Sequence, residues 1–187
     1  MNQSDIKKIQ IKIGVDPDGF WGPKSIAACQ AYLRKLMPKN NSWPKTDQAS
    51  LAKFYGDPGD ESQLTPLAVS DLGLLYDGNP VRIIRCHKKV ASSLRRVLET
   101  IASSPHKGIL GKYAGCFNNR SMRGGSLPSL HARGAAVDID PDDNGNHTSW
   151  PTRATMPLEV MEAFAKEGWI SAGVFWGRDA MHFQATQ

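Results

Sequence analysis

Ser129-Leu130-His131-Ala132-Arg133-Gly134-Ala135-Ala136-Val137-Asp138 and Trp176-Gly177-Arg178-Asp179-Ala180-Met181-His182-Phe183 are the two stretches that organise this 187-residue chain. Each sets an imidazole and a carboxylate beside a short apolar run. Gly134 to Ile139 is short, apolar and β-compatible. From Ala180 to Thr186, Met181 and Phe183 alternate with His182 and Gln184, as expected of a half-buried strand. Side chains alternate across a strand, so Asp138 points away from Val137 and Ile139, and His182 away from Met181 and Phe183. Both polar groups then look into one cleft.

Working outward, Val90, Leu94, Val97, Leu98 and Ile101 recur with the period of an amphipathic helix. Pro157 opens a second, with Leu158, Met161, Phe164 and Ala165 as its apolar face and Gly168 beyond its end. Helices and long loops between strands predict an α+β domain over residues 64–187, a short antiparallel sheet flanked by helices. Residues 1–56 read as a small three-helix bundle. Ser4-Asp5 caps the first helix and Gly14 stops it; Pro23 opens the second; the third runs from about Asp47 to Phe54. The turn-forming run Gly56-Asp57-Pro58-Gly59-Asp60 predicts a linker over 57–63.

Composition narrows the class. Hydrophobic residues make up 40% and charged residues 22%, as in ordinary globular proteins, and no apolar run approaches the ~20 residues of a membrane span. No stable membrane insertion is expected. The N-terminus lacks a charged segment followed by an apolar one, which predicts a chain made in the cytoplasm without a signal peptide. Cys29, Cys86 and Cys116 are an odd number without CxxC spacing, so they read as free thiols rather than as a disulfide framework or a cysteine zinc site. Residues 1–56 carry nine Lys/Arg against four Asp/Glu, and residues 57–187 carry fourteen of each. That basic segment suggests an anionic polymer partner. Its scattered charges and few aromatic residues argue against nucleic acid. A monomer is expected.

A catalytic zinc takes three protein ligands and leaves a position for water. His131, Asp138 and His182 supply a His₂Asp set. A carboxylate that is not a ligand can take a proton from water and pass it to a leaving amine, and Asp179, three residues before His182, is the candidate. Arg120 or Arg123 can stabilise an oxyanion or hold a substrate carboxylate. Ser129, Arg123 and Trp176 are candidate substrate contacts, with Ser129 also placed to orient its loop. No G-x-S-x-G surrounds Ser129, so it is not read as a nucleophile. Arg133 and Arg178 read as surface charges, and His87, His106 and His147 as structural. Asp142-Asp143-Asn144-Gly145-Asn146 lacks the spacing and terminal Glu of a calcium loop.

Two resemblances follow from these residues. Ile9-Gln10, Gly14-Val15, Asp18-Gly19-Phe20-Trp21-Gly22-Pro23-Lys24-Ser25 and Ala28 resemble the three-helix peptidoglycan-binding domain. Ser129, His131, Gly134, Ala136 and Asp138, followed by Asp179 and His182, resemble the S-x-H-x-x-G-x-A-x-D and [ED]-x-x-H motifs of D-alanyl-D-alanine carboxypeptidases, D,D-dipeptidases and phage L-alanyl-D-glutamate endopeptidases. Phe117, Arg120, Arg123 and Gly124 match that family's upstream arginine stretch. The resemblance implies one catalytic zinc on His131, Asp138 and His182, with Asp179 as base and Arg120 in the arginine role. Asp rather than Glu at position 179 resembles the endopeptidase branch, which cuts between L-Ala and D-Glu of the peptidoglycan stem. A wall-binding segment without a signal peptide resembles an endolysin that reaches the wall once a holin opens the membrane. The alternatives are a D-alanyl-D-alanine carboxypeptidase on the same scaffold, or a non-catalytic wall-binding or virion structural protein.

Overall fold

The computed structural model describes residues 1–187. Helix α1 (Gln3–Ile13) starts earlier than Ser4-Asp5 predicted. Asn2 is its cap: the Asn2 side chain accepts from the Asp5 amide while the Asp5 carboxylate accepts from the Asn2 amide. Gly14, left-handed at φ 77°, ends it. Helix α2 (Pro23–Leu36) opens on its proline, and α3 (Gln48–Tyr55) is capped by Asp47, whose carboxylate accepts from the Ser50 amide.

Ile9, Cys29, Leu33, Trp43, Leu51 and Tyr55 of this segment belong to one apolar cluster that continues through the rest of the chain. Strand β1 (Leu64–Ala68) follows, then a small hairpin of β2 (Leu75–Tyr76) and β3 (Asn79–Pro80), and then β4 (Ile83–His87), antiparallel to β1. Helix α4 (Ala91–Ala102) buries Leu94, Val97, Leu98 and Ile101, the stripe that periodicity predicted. The remaining elements are β5 (Tyr113–Gly115), β6 (Ala136–Ile139), α5 (Pro141–Asn144), α6 (Leu158–Lys166), β7 (Ile170–Ser171), α7 (Ala172–Phe175) and β8 (His182–Gln184). Strands β5, β6, β8 and β7 form, in that order, an antiparallel sheet. The architecture is α+β, as predicted, and no helix is long and apolar enough to cross a membrane.

The helices α1–α3 sit against α6 and the C-terminal strand through polar as well as apolar contacts. Lys12 Nζ lies 2.7 Å from Glu162, Tyr32 donates to Glu162 over 2.9 Å, and Trp43 Nε1 donates to the Glu167 carbonyl over 3.0 Å. The buried Tyr55 hydroxyl donates to the Ala185 carbonyl over 2.7 Å, and Trp21 packs edge-on against Trp150. Residues 57–63 stay on the surface of the fold: Gly59 N–H donates to the Ala132 carbonyl, and Glu61–Gln63 make a 3-10 turn.

Both strands expected around the motif are shorter than their apolar runs. Gly134 ends a 3-10 turn, Leu130–Arg133, at φ 64°, and a Cβ there would lie 2.9 Å from the His87 amide. Glycine serves both the left-handed conformation and the close approach, so β6 starts two residues later. Strand β8 is buried throughout rather than half-buried, because its polar face looks into the motif instead of into solvent. Its apolar face carries Phe183, stacked on Phe164 of α6 with 3.8 Å between ring centroids.

Candidate active site

Sheet register places the first two polar groups. Asp138 of β6 pairs directly with His182 of β8, so their side chains rise from adjacent positions on one face. His131 comes from the 3-10 turn before β6. Its turn is held by the Ser129 hydroxyl, which accepts from the His131 amide over 3.3 Å. One ligand atom from each of His131, Asp138 and His182 lies within 4.8 Å of the others, and all three residues are buried. The spacing predicted this convergence, and the fold supplies it.

The outward ring nitrogens are tied down. His131 Nδ1 lies 2.7 Å from the Cys116 carbonyl, and His182 Nε2 lies 3.1 Å from Gln184 Oε1. Both partners are acceptors, since Gln184 turns its own amide nitrogen to Thr186 Oγ1, 2.7 Å away. The hydrogens are therefore assigned to the outward nitrogens, and the inward His131 Nε2 and His182 Nδ1 present lone pairs. These sit 3.1 Å apart, and 3.2 and 2.9 Å from Asp138 Oδ1. Three acceptors this close repel unless a cation lies among them. Ligands at 2.0–2.2 Å around a tetrahedral ion stand roughly 3.3–3.6 Å apart, close to what the side chains already adopt. The donor set fits a divalent metal.

Without a cation among them, these groups favour positive charge at this point. Burial pushes the Asp138 carboxyl up, but its contacts with the two imidazoles outweigh this and hold it well below the usual carboxylate range. Burial pushes His182 down, and Asp138 more than offsets it. The Trp176 ring stacks on His182 with 5.6 Å between centroids, and is itself half exposed to the cleft.

Asp179 stands apart from the three. It sits in the left-handed region at φ 60°, tolerated by Asp better than by most residues. Its carbonyl accepts from the His182 amide over 2.9 Å, which fixes the turn before β8. Its Oδ1 is buried without a hydrogen-bond partner, and burial raises its pKa, opposed in part by the charge of His182. A cleft of about 180 Å³ collects Arg120, Arg123, Ser129, His131, Asp138, Trp176, Asp179 and His182, so every residue singled out from the sequence lines one cavity. Arg120 donates to the Ser121 carbonyl at its rim.

Some contributors had no motif signal. Gln184 orients His182; its position two residues along the strand puts it on the same face, a signal that alternation alone would have supplied. Asn146 and Arg178 also line the cleft. Asp140 is buried, lies 2.8 Å from Lys112 Nζ and accepts from Asn144. Asn144 also accepts from the Thr155 and Met156 amides, so the acidic loop is a structural bracket. His87 is a buried core residue between the Tyr55 carbonyl and the Lys89 amide, and His106 faces Glu159 at 3.6 Å. All three cysteines are free and buried.

A buried imidazole–carboxylate–imidazole group, open to a cleft with a further carboxylate beside it, is the arrangement of a metallopeptidase centre. Residues 123–185 match the family model described as D-alanyl-D-alanine carboxypeptidase. The match spans both halves of the motif and supports a metallopeptidase acting on peptidoglycan, at the level of the family. No curated protein and no solved structure matches the chain.

Replacing Gln184 with leucine removes the acceptor that fixes the His182 tautomer. Outer partners of metal-bound imidazoles are worth about 10–100-fold in metal affinity. Competition titration against a chromogenic chelator is expected to show a loss of that size, and unchanged affinity would remove Gln184 from the site.

Proposed function

We propose that this protein is a zinc-dependent peptidoglycan endopeptidase that cuts stem peptides between L-Ala and D-Glu. The observation that carries the reading is the pair of imidazoles whose outward N–H groups are anchored and whose lone pairs meet Asp138, next to the unpartnered Asp179 oxygen. His131, Asp138 and His182 would hold the ion. When bound, zinc acts as a Lewis acid on the scissile carbonyl and on the attacking water.

The chain's own groups do the rest. The Asp179 carboxylate accepts the proton of the water as its oxygen bonds to the carbonyl carbon, and hands that proton to the amine nitrogen as the C–N bond breaks. Burial of Asp179, which raises its proton affinity, suits a group that must hold a proton between the two steps. Arg120 at the cleft rim binds the carboxylate next to the scissile amide or the developing oxyanion. Trp176 keeps the His182 ring in place and offers its exposed face to the substrate. The helices α1–α3 are read as the wall-binding element, on their resemblance and their positive charge. The protein is read as an endolysin, made in the cytoplasm and acting as a monomer on the wall after holin-dependent release.

The family description favours a second reading, a D-alanyl-D-alanine carboxypeptidase on the same site. Mass spectrometry of purified wall digested with and without a chelator decides. New D-Glu N-termini that vanish on chelation are expected. Release of terminal D-Ala instead would establish the carboxypeptidase, and binding to sacculi without any released amine would leave a non-catalytic wall protein.

A further inference from the structure

The cleft holds more positive charge than one substrate carboxylate requires. Arg85, Arg95 and Arg96 are matched to Glu61, Asp71 and Glu167. Arg120, Arg123 and Arg178 line the cleft without an ion-pair partner. Their three guanidiniums outnumber its two carboxylates, Asp138 and Asp179, before a metal adds its own charge. Such an excess in a confined cleft selects an anionic ligand. The backbone of Arg178 is set by a β-bridge to Ser149, and Gly177 beside it accepts from the Trp150 amide, so this arginine is anchored on a fixed rim.

The cleft also has two lobes. Beyond Asp138 lies a second cavity of about 420 Å³, walled by Tyr76 of the β2–β3 hairpin and Tyr113 of β5, and joined to the first at Arg123, Asp138 and Met181. Asp179 lines the arginine lobe alone. Since Asp179 protonates the departing amine in the proposed mechanism, the amine side of the scissile bond lies among the arginines. In either candidate substrate the residue that supplies this nitrogen has a free carboxylate on its α-carbon. It is a terminal D-Ala, or a D-Glu that continues through its side chain. With Arg120 in its carboxylate-binding role, that group is satisfied, and Arg123 and Arg178 remain.

We propose that Arg123 and Arg178 recognise a second carboxylate further along the amine side, and so select stems whose third residue is an acidic diamino acid such as diaminopimelate over stems with lysine there. The inference rests on the endopeptidase reading, because a departing D-Ala has nothing beyond its own carboxylate to offer.

The test uses the full chain, loaded with zinc, and two synthetic stems, L-Ala-γ-D-Glu-X-D-Ala, with X either meso-diaminopimelate or L-lysine. Wild-type kcat/KM is expected to favour the diaminopimelate stem by about tenfold or more, the worth of one charge-assisted contact. Arg178→Gln and Arg123→Gln should each narrow that ratio. Calorimetry with the product γ-D-Glu-diaminopimelate should show weaker binding by the same variants, and weaker binding by wild type at high salt. Equal cleavage of the two stems by wild type, or a ratio that both variants preserve, overturns the inference and leaves the endopeptidase standing. Cleavage of neither stem, or release of D-Ala alone, overturns the endopeptidase reading and the inference with it.

Discussion

Asp179→Asn is expected to bind zinc as wild type does and to hydrolyse wall about 10²–10⁴ times more slowly, the usual worth of a general acid–base group. The substitution keeps the shape of the side chain and removes the proton acceptor. Asp179 is outside the His131–Asp138–His182 group, so metal uptake has no reason to change. His182→Ala is the contrasting case. It removes one of the three proposed ligands and the partner that Asp138 faces across the sheet, so zinc and turnover should be lost together. Metal content by elemental analysis and amine release from sacculi, measured on both variants, separate the two roles. Full lysis by Asp179→Asn would remove the proposed base from the mechanism. Loss of zinc from that variant would make Asp179 a ligand instead.

Deleting residues 1–56 is expected to unfold the remaining chain, not simply to weaken its hold on the wall. The deletion strips Tyr55, Trp43, Leu33 and Leu51 from a shared core, and with them the partners of Trp150, Trp169 and the Ala185 carbonyl. A buried large apolar side chain is worth roughly 1.5–3 kcal/mol, and several such losses approach the ~5–15 kcal/mol that hold a whole domain together. Circular dichroism of residues 57–187 should show no cooperative thermal transition. A truncated protein that melts cooperatively and still takes up zinc would mean that the helices are an appendage after all. Tyr55→Phe in the full chain is the milder control. It leaves the Ala185 carbonyl unpaired in the core and should cost about 1–3 kcal/mol without abolishing folding.

How legible the fold was depended on the period of each element. The stripe Leu94, Val97, Leu98, Ile101 is long enough to declare α4, and proline and glycine punctuate α2 and α6. Strands β1 to β5 and β7 carry no such mark. They run two to five residues, too short for alternation to rise above chance, and β1 and β4 are recognisable only as partners of each other. Residue type alone leaves the start of α1 open, because Asn2, Ser4 and Asp5 are all good caps, and the choice falls to the residue whose side chain reaches the third amide inside the helix.

By itself the sequence determined the chemistry available: which imidazoles and carboxylates stand at strand-like spacing, and which carboxylate is left over beside them. Those are properties of residue type and local period, and they survive without knowledge of the partners. Tertiary structure alone decided what depends on elements distant in the chain. It paired Asp138 with His182, aimed the Cys116 carbonyl at His131, turned Arg133 from a surface charge into a buried donor to the Gly56 carbonyl, and joined α1–α3 to the common core. The reason is that a lone pair's direction and a guanidinium's surroundings are set by sheet register and by what packs across the gap, neither of which any local stretch of residues contains.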